Sequence, residues 1–403
     1  MRVDSCRLCK SLLNKPVLAL PATPLANEFV KTTEPQDLFP LEVCPCSKCG
    51  HYQLTESVEP ARLFRNYLFV AGTSPVNVEH FRKYAVHMVE KFGLRSGSRI
   101  LDIASNDGTL LKEFAKLEMS VLGIDPARNL AEEANKNGIP TIPEFFTAEY
   151  ADQMLEEHGK FDIITANNVF AHVPDLANFA KGVKKLLGPL GVFSFEVSYF
   201  ADVCDKTLFD TIYHEHSSYH TLTPLLPFFQ SHGLEVFDVE RISNHGGSIR
   251  VFVRHAAAVA NYDKAMTASM TDMLFQEKDI EKKVEHLKKN IDDLGQALRD
   301  KLRLYKTQGK SIAIYGVPAK ATTLMYALGI KKEWVDFAVD DASLKQGTFT
   351  PGMHIPVLPT KTIYEKRPGI LLILAWNFAD SIIANHKSFG GKFIVPIPEL
   401  KEV

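Results

Sequence analysis

The chain reads Arg99-Ile100-Leu101-Asp102-Ile103-Ala104-Ser105-Asn106-Asp107-Gly108, a short apolar run followed at once by a polar turn. A helical pattern over 109–117 comes next, so these residues predict a strand, a tight turn and a helix. A second predicted strand, 120–124, is followed by Asp125, which lies 19 residues after Asn106. Nucleotide-binding βαβ units carry an acidic residue at about this offset, where it reaches the ribose hydroxyls. The spacing therefore predicts a nucleoside site.

Further predicted strands alternate with helical stretches along the middle of the chain. They cover residues 161–166, 192–198, 235–239 and 248–253. This order predicts a doubly wound α/β sheet. The last two strands are separated only by residues 240–247, which are too few for a crossover helix. We therefore predict an antiparallel hairpin at the end of an otherwise parallel sheet.

Length and composition are those of a folded protein with several domains. At ~100 to 200 residues per domain, 403 residues predict two or three domains. A content of 45% hydrophobic and 23% charged residues excludes a disordered or low-complexity chain. With 46 Lys and Arg against 48 Asp and Glu, the formal charge of -2 supplies no overall field for nucleic acid. We find neither a membrane-length apolar run of ~18 residues nor a signal-peptide pattern, and expect a cytoplasmic protein with no nucleic-acid or membrane partner.

Five of the six cysteines fall within the first 49 residues, which requires a local cause. Cys6 with Cys9, and Cys46 with Cys49, form two C-x-x-C units, the spacing at which tight turns direct both thiolates at one tetrahedral metal ion. Four protein ligands leave no open coordination position, so we predict a structural Zn²⁺. A redox dithiol or a chance cluster is the alternative. Cys44 is surplus, because a separation of one residue from Cys46 is too short for the same turn.

The predicted terminal hairpin on a parallel sheet resembles class I S-adenosylmethionine-dependent methyltransferases. Residues 102–108, Asp-Ile-Ala-Ser-Asn-Asp-Gly, look like the first motif of that family, with Ala104 and Asn106 where glycines are usual. The G-x-G-x-x-G of NAD-binding proteins is missing, which favours S-adenosylmethionine. An ordinary strand-to-helix connection is the alternative for the turn alone. The resemblance implies cofactor contacts near the methionine part, at the ribose and after the strand 161–166, from Asp102, Ser105, Asn106, Asp125, Asn167 and Asn168.

Residues 209–220 concentrate titratable groups between a strand and a helix: Phe-Asp-Thr-Ile-Tyr-His-Glu-His-Ser-Ser-Tyr-His. Histidine, with an ordinary pKa of about 6.5, suits proton abstraction near neutral pH, and a neighbouring carboxylate can orient it. Metal binding by His214, Glu215 and His216 is one alternative, but H-E-H lacks the spacing of H-E-x-x-H. A polar surface loop without a role is another. We favour an acid–base site, because catalytic residues are common on loops at the carboxyl ends of strands.

This segment also carries a more specific resemblance. Tyr213-His214-Glu215-His216, the cysteine units and residues 244–248, Asn-His-Gly-Gly-Ser, look like the C-methyltransferases of deoxysugar nucleotide pathways, over nearly the whole chain. The resemblance implies methylation beside the 4-keto group of a nucleotide-linked 6-deoxysugar, most often at C-3 of a dTDP sugar. It leaves open dTDP or GDP, C-3 or C-5, and the pathway.

The same resemblance assigns roles to individual side chains. His216 becomes the base that removes the sugar proton, Glu215 its partner or a substrate-orienting carboxylate, and Tyr213 a hydroxyl near the enolate. His172 and Tyr67 look like two more family positions near the sugar. On the residues alone, His172 could equally begin a helix, and Tyr67 could be a core tyrosine.

A charged helix and a second α/β layer complete the chain. An apolar stripe predicts packing against the neighbouring domain, with a coiled-coil dimer as the alternative; it comprises Ile280, Val284, Leu287, Ile291, Leu294 and Leu298. Residues 310–320 begin another strand-turn-helix, with strands near 337–339, 371–374 and 393–396. The resemblance implies that this domain helps bind the nucleotide sugar, through Tyr315 and Lys320, and Arg250 of the hairpin is a pyrophosphate candidate.

The sequence thus predicts three units: a zinc-binding module over 1–66, an S-adenosylmethionine-dependent methyltransferase domain over 67–256, and a C-terminal α/β domain over 257–403. We expect a monomer, with a dimer as the alternative. A zinc-containing RNA base methyltransferase is a competing function that the charge balance disfavours. A non-catalytic zinc-containing nucleotide-binding scaffold is another, which the acid–base residues disfavour.

Overall fold

A computed structural model describes residues 1–65, 67–258 and 266–403, so Asn66, at the predicted first boundary, lies outside the described residues. The strands in chain order are β1 (Leu18–Thr23), β2 (Phe39–Pro45), β3 (Tyr52–Leu54), β4 (Arg99–Ile103), β5 (Ser120–Ile124), β6 (Thr141–Ile142), β7 (Phe161–Asn167), β8 (Leu187–Ser198), β9 (Ser218–Tyr219), β10 (Leu234–Ile242), β11 (Ser248–His255), β12 (Ile312–Tyr315), β13 (Phe337–Val339), β14 (Val357–Leu358), β15 (Ile370–Ile373), β16 (Lys392–Val395) and β17 (Lys401–Glu402). The α-helices are α1 (Pro60–Phe64), α2 (Pro75–Phe92), α3 (Thr109–Lys116), α4 (Arg128–Lys136), α5 (Ala148–His158), α6 (Leu176–Leu186), α7 (Phe200–Asp205), α8 (Leu222–Ser231), α9 (Ala268–Gln276), α10 (Ile280–Thr307), α11 (Ala319–Ala327), α12 (Thr362–Lys366) and α13 (Ala379–Asn385).

The central sheet has the strand order β10-β11-β8-β7-β4-β5-β6. Strands β4 to β8 pair in parallel, while β11 pairs antiparallel with both β8 and β10. The predicted doubly wound fold and its terminal hairpin are therefore confirmed. β4 and β7 are almost entirely buried, as expected for parallel strands covered by helices on both faces. The chain runs from β4 outward in both directions, so the crevice where such sheets bind ligands lies at the carboxyl end of β4.

The N-terminal sheet recruits a strand from the middle of the chain. Its order is β1-β2-β3-β9, and all its pairs are antiparallel. In the β3–β9 pair, Tyr52 lies opposite Tyr219 and Gln53 opposite Ser218. Because β9 begins two residues after His216, the metal-binding part of the chain is hydrogen-bonded to the end of the acid–base segment.

The C-terminal sheet has the order β14-β13-β12-β15-β16-β17 and is parallel except for its last pair. The apolar stripe of α10 packs into the same cluster as this sheet and the N-terminal sheet. Val284, Leu287 and Leu298 are buried there, which confirms the predicted packing within one chain. Within the described ranges, no helix has both the length and the apolarity needed to cross a membrane.

The C-terminal unit also forms a hydrogen bond with the segment 209–220, which carries His216. On α11, the hydroxyl of Thr323 donates to the carbonyl of Ile212 at 2.7 Å, and that of Thr322 donates to the carbonyl of Ala26 at 3.4 Å. The segment that carries His216 is thus held between the three sheets, which fixes its backbone before any substrate binds.

Candidate active site

The four cysteines of the C-x-x-C units converge at one point. Their sulfur atoms all lie within 4.8 Å of one another, with Cys6 and Cys49 at 3.6 Å and Cys9 and Cys46 at 3.4 Å. Zn–S bonds of about 2.3 Å in a tetrahedron put sulfur atoms about 3.8 Å apart, so the arrangement fits one zinc ion. Cys44 stands outside this set, since its thiol donates to the carbonyl of Asn14 at 2.8 Å.

The two turns that carry these cysteines have the same backbone geometry. Lys10 and Gly50, one residue after each pair, adopt left-handed φ angles of 61° and 77°. Their amides donate to the carbonyls of Cys6 and Cys46. The hydrogen bond with Cys49, as the largest cause, lowers the pKa of Cys6 to about 5, and the same bond raises the pKa of Cys49. The cluster therefore stabilises a thiolate, the form that binds a metal.

The predicted cofactor residues meet at the carboxyl ends of the neighbouring strands β7, β4 and β5. Asp102, at the end of β4, accepts a hydrogen bond from Thr165 at 2.6 Å. Asp125 accepts from the backbone amides of Asn106 at 2.8 Å and Ala127 at 2.7 Å. Burial raises the pKa of Asp102 to about 7 and that of Asp125 to about 6. Two buried carboxylates at one sheet edge suit a ligand with a positive charge and hydroxyl groups.

Several polar atoms in this crevice lack protein partners. Among the described residues, neither the Oδ1 nor the Nδ2 atom of Asn167 has a hydrogen-bond partner, and nor does the hydroxyl of Ser105. Buried polar groups are nearly always satisfied, so these atoms are ones that a ligand would engage. Asn168 adopts a left-handed φ of 57° beside them, and its amide donates to the carbonyl of Glu196 at 2.8 Å.

Asn106 makes two side-chain contacts that the sequence did not reveal. Its side chain accepts from the amide of Ala71 at 2.9 Å and donates to the carbonyl of Phe69 at 3.0 Å. Asp107 similarly accepts from the amide of Gly72 at 3.2 Å. The polar turn therefore anchors the segment that leads from the zinc module into α2 over the crevice.

His216 is held in the tautomer that a base requires. Its Nδ1 lies 2.8 Å from the carbonyl of Thr211, which can only accept, so Nδ1 carries the proton. Its Nε2 therefore carries a lone pair instead of a proton, and this lone pair accepts a hydrogen bond from the Tyr213 hydroxyl at 3.1 Å. Desolvation lowers the pKa of His216 well below its ordinary value, with further contributions from His172 and Lys320. The imidazole is thus neutral and able to accept a proton at Nε2.

Glu215 points away from His216 and toward other elements. Its carboxylate accepts from the hydroxyl of Tyr67 at 2.9 Å and from the amide of Asn27 at 2.7 Å. Desolvation raises the pKa of Glu215 to about 7, partly opposed by these two hydrogen bonds. The orienting partner of His216 is therefore the Thr211 carbonyl, and Glu215 joins a separate triad. Sequence reasoning missed Asn27, because its contact with Glu215 spans 188 residues.

His172 lies beside His216. The His172 and His216 ring centroids are 4.8 Å apart, and Phe64 packs on the other side of His172 at 5.5 Å. Desolvation lowers the pKa of His172 to about 4, so its ring is neutral. His214 faces elsewhere, with Nε2 3.1 Å from the carbonyl of Pro40. The three residues of the H-E-H sequence thus have three different sets of partners.

Two of the predicted substrate contacts are engaged elsewhere. Arg250 forms ion pairs with Glu196 at 2.6 Å and Glu240 at 3.1 Å, and its side chain is 7% exposed. Both ion pairs would have to break before the guanidinium could bind pyrophosphate, so we assign Arg250 to this network. The hydroxyl of Tyr315 donates to Asp341 at 3.1 Å and lies 3.0 Å from Nε2 of His386.

Comparisons with known proteins agree with this arrangement along the whole chain. A family model described as "Putative zinc binding domain" matches residues 6–64, one for a methyltransferase domain matches 78–239, and one for a C-methyltransferase C-terminal domain matches 243–398. The C-methyltransferase NovU of Streptomyces niveus is 37% identical over 407 residues, which cover 98% of this chain and 96% of NovU. The chain belongs to the NovU family of C-methyltransferases.

Other relatives of this C-methyltransferase match its central part. A ubiquinone biosynthesis O-methyltransferase of Colwellia psychrerythraea is 27% identical over 186 residues, covering 42% of this chain and 75% of that protein. The crystal structure of an S-adenosylmethionine-dependent methyltransferase from Clostridium acetobutylicum is 14% identical, with a TM-score of 0.37, and covers 45% of this chain and 92% of the other. The C-methyltransferase uses S-adenosylmethionine and binds zinc in its N-terminal part.

Proposed function

We propose that this C-methyltransferase methylates a carbon beside the 4-keto group of a nucleotide-linked 6-deoxysugar, at C-3 of a dTDP- or GDP-linked sugar. The observation that carries the proposal is the unprotonated Nε2 of His216, fixed by the Thr211 carbonyl and contacted by the Tyr213 hydroxyl. A carbon becomes a nucleophile only after losing a proton, and a C–H beside a carbonyl is acidic enough for an imidazole base.

The proposed reaction begins at His216. Nε2 takes the proton from the sugar carbon, and the electron pair moves onto the neighbouring keto oxygen, giving an enolate. Before this transfer the Tyr213 hydroxyl turns away from Nε2, whose single lone pair takes the proton, and it then donates to the keto oxygen. Desolvation raises the pKa of Tyr213 well above its ordinary value, so the hydroxyl keeps its proton and acts as a donor. S-adenosylmethionine, when bound, supplies the electrophilic methyl group for the carbon.

The remaining predicted residues bind and orient in this proposal. Glu215, Tyr67 and Asn27 form a hydrogen-bonded triad that positions the sugar, and His172 supports the ring of His216. The cofactor is held in the crevice by Asp102, Ser105, Asn106, Asp125, Asn167 and Asn168. The zinc ion, held by Cys6, Cys9, Cys46 and Cys49, is structural, because all four of its positions are filled by protein.

We also propose the three-unit division at 1–66, 67–256 and 257–403, and a monomer that works in the cytoplasm. The C-terminal unit supplies Lys320 to substrate binding, whereas the predicted contact Tyr315 is hydrogen-bonded to Asp341. The packing of α10 within the chain supports a monomer, because it covers the apolar stripe that a coiled coil would need.

The test uses the full-length zinc-loaded protein, S-adenosylmethionine and a panel of 4-keto-6-deoxy nucleotide sugars. Mass spectrometry should show a gain of one methyl group, and in heavy water the carbon beside the ketone should exchange its proton even without cofactor. His216→Ala should abolish both signals, whereas His286→Ala, on the exposed face of α10, should retain them. Methylation of RNA alone, or no turnover of any keto sugar, would reject the proposal.

A further inference from the structure

Asp210 is a buried acid in the segment that carries His216, and the mechanism above does not use it. Its residue is 0% exposed. Its Oδ2 accepts from the indole Nε1 of Trp376 at 2.5 Å, whereas Oδ1 is buried without a hydrogen-bond partner among the residues described. Half of this carboxylate is therefore satisfied by the C-terminal unit, and half is not.

Lys320 carries a second unsatisfied group close by. Its Nζ is buried, lies 5.7 Å from the centroid of the Trp376 ring, and has no hydrogen-bond partner in the described part of the chain. Burial raises the pKa of Asp210, and the positive charge of Lys320 opposes that shift; the same charge lowers the pKa of His216. The charge of Lys320 thus acts on both groups, yet in the described residues no hydrogen bond joins its Nζ to Asp210.

Buried polar groups are almost always hydrogen-bonded, and an unpaired buried charge is costly. One group that accepts from Lys320 and donates to the Asp210 carboxylate would satisfy both. A phosphate or a carbonyl can only accept, and an ammonium group can only donate. A hydroxyl does both. A phosphate would in addition be repelled by the Asp210 carboxylate.

We propose that Asp210 and Lys320 together bind one hydroxyl group of the substrate and so select hydroxylated acceptors. This inference rests on the proposed function and specifies part of its substrate. Trp376 positions both residues, through its hydrogen bond to Asp210 and its ring beside Lys320. The hydroxyl is either the 2-hydroxyl of the hexose or the 3-hydroxyl of the nucleoside sugar, and the test separates these two sources.

The experiment compares dTDP-4-keto-6-deoxyglucose with two analogues, one lacking the hexose 2-hydroxyl and one lacking the ribose 3-hydroxyl. The wild-type protein, Asp210→Asn and Lys320→Met are assayed for kcat/KM through release of S-adenosylhomocysteine. A hydrogen bond to a charged group corresponds to about 10- to 100-fold in kcat/KM. With the wild-type protein, kcat/KM for one of the two analogues should therefore be lower than for the parent substrate by that factor. In both variants kcat/KM for the parent substrate should fall by a similar factor, while kcat/KM for that analogue should fall by less than about threefold.

Asp380 is an exposed acid on α13, so Asp380→Asn is the matched control. It should leave kcat/KM for the parent substrate, and its ratio to that of each analogue, unchanged. A lower kcat/KM with the hexose analogue shows that the bound hydroxyl belongs to the hexose. A lower kcat/KM with the ribose analogue shows that it belongs to the nucleoside. Equal kcat/KM for all three compounds would show that only water occupies the site and would overturn the inference. So would wild-type discrimination that survives in both variants. Turnover of the parent substrate in either case leaves the proposed function intact; no turnover of any keto sugar would overturn both.

Discussion

We compare the free energy of unfolding of Glu215→Gln with that of the wild type at the same pH. This difference should favour the variant more at pH 8 than at pH 5. In the folded state the pKa of Glu215 is raised from 4.5 to about 7, mainly by desolvation. The folded protein therefore retains a proton that the unfolded chain has already lost. For a raised pKa, the stabilising contribution is fully present below pH 4.5 and is lost as pH rises through about 7.

The size of the effect follows from the shift. At about 1.4 kcal/mol per pKa unit, ionising Glu215 costs the wild type about 3 kcal/mol at pH 8 and less than about 1 kcal/mol at pH 5. Glutamine does not ionise, so its advantage should grow by about 2 to 3 kcal/mol between these pH values. Glutamine retains one acceptor for Tyr67 or Asn27, and any hydrogen bond it loses changes both measurements equally.

Urea unfolding monitored by tryptophan fluorescence at the two pH values is the assay. Trp376 is a suitable reporter, since it is hydrogen-bonded to the segment that carries Glu215. Glu132→Gln, at an exposed carboxylate on α4, should show no pH-dependent gain. A difference between Glu215→Gln and wild type that is equal at pH 5 and pH 8 would refute the electrostatic reasoning.

Three further expectations concern other parts of the site. His216→Ala should lower the rate of turnover by ~10²- to 10⁴-fold in protein that thermal unfolding shows to be folded; a loss below tenfold would exclude it as the base. Cys49→Ser should lose zinc in metal analysis and expose the amides of 213–219 to hydrogen exchange, whereas Cys44→Ser should retain one zinc per chain; an equal loss in both would contradict the ligand set. Arg250→Met should destabilise the fold by about 3 to 5 kcal/mol in urea unfolding, because it leaves the buried Glu196 carboxylate without its cation. An unchanged free energy of unfolding would instead show that His80 alone compensates the charge of Glu196.

The sequence was informative where one local pattern determines the structure. The short connection 240–247 forces a hairpin, and the two C-x-x-C spacings force convergence, so both were predictable and both are confirmed. The helical stripe was equally clear because its spacing is local. Boundaries at 66 and 256, and the roles of single side chains, stay predictions.

What the sequence did not reveal are contacts between distant residues. Asn27 and Tyr67 bind Glu215 across 188 and 148 residues, and a two-residue strand such as β9 has no periodicity to read. Adjacency in sequence suggested that Glu215 would orient His216. The backbone instead turns the two side chains apart, and a carbonyl takes the orienting role. Neighbouring residues on a tight loop often face different elements, which only the fold determines.

The pairing of β3 with β9 has a consequence for inheritance and for engineering. A chimera that exchanged the first 66 residues for those of a relative would replace one half of a backbone ladder while retaining the other half, at Ser218 and Tyr219. The graft should fold best if residues 218 and 219 are exchanged with it, because Tyr52 and Tyr219 pack against the same ring, that of Phe200. The metal-binding part and the loop that carries His216 therefore form one structural unit, although 165 residues separate Gln53 from Ser218 in the sequence.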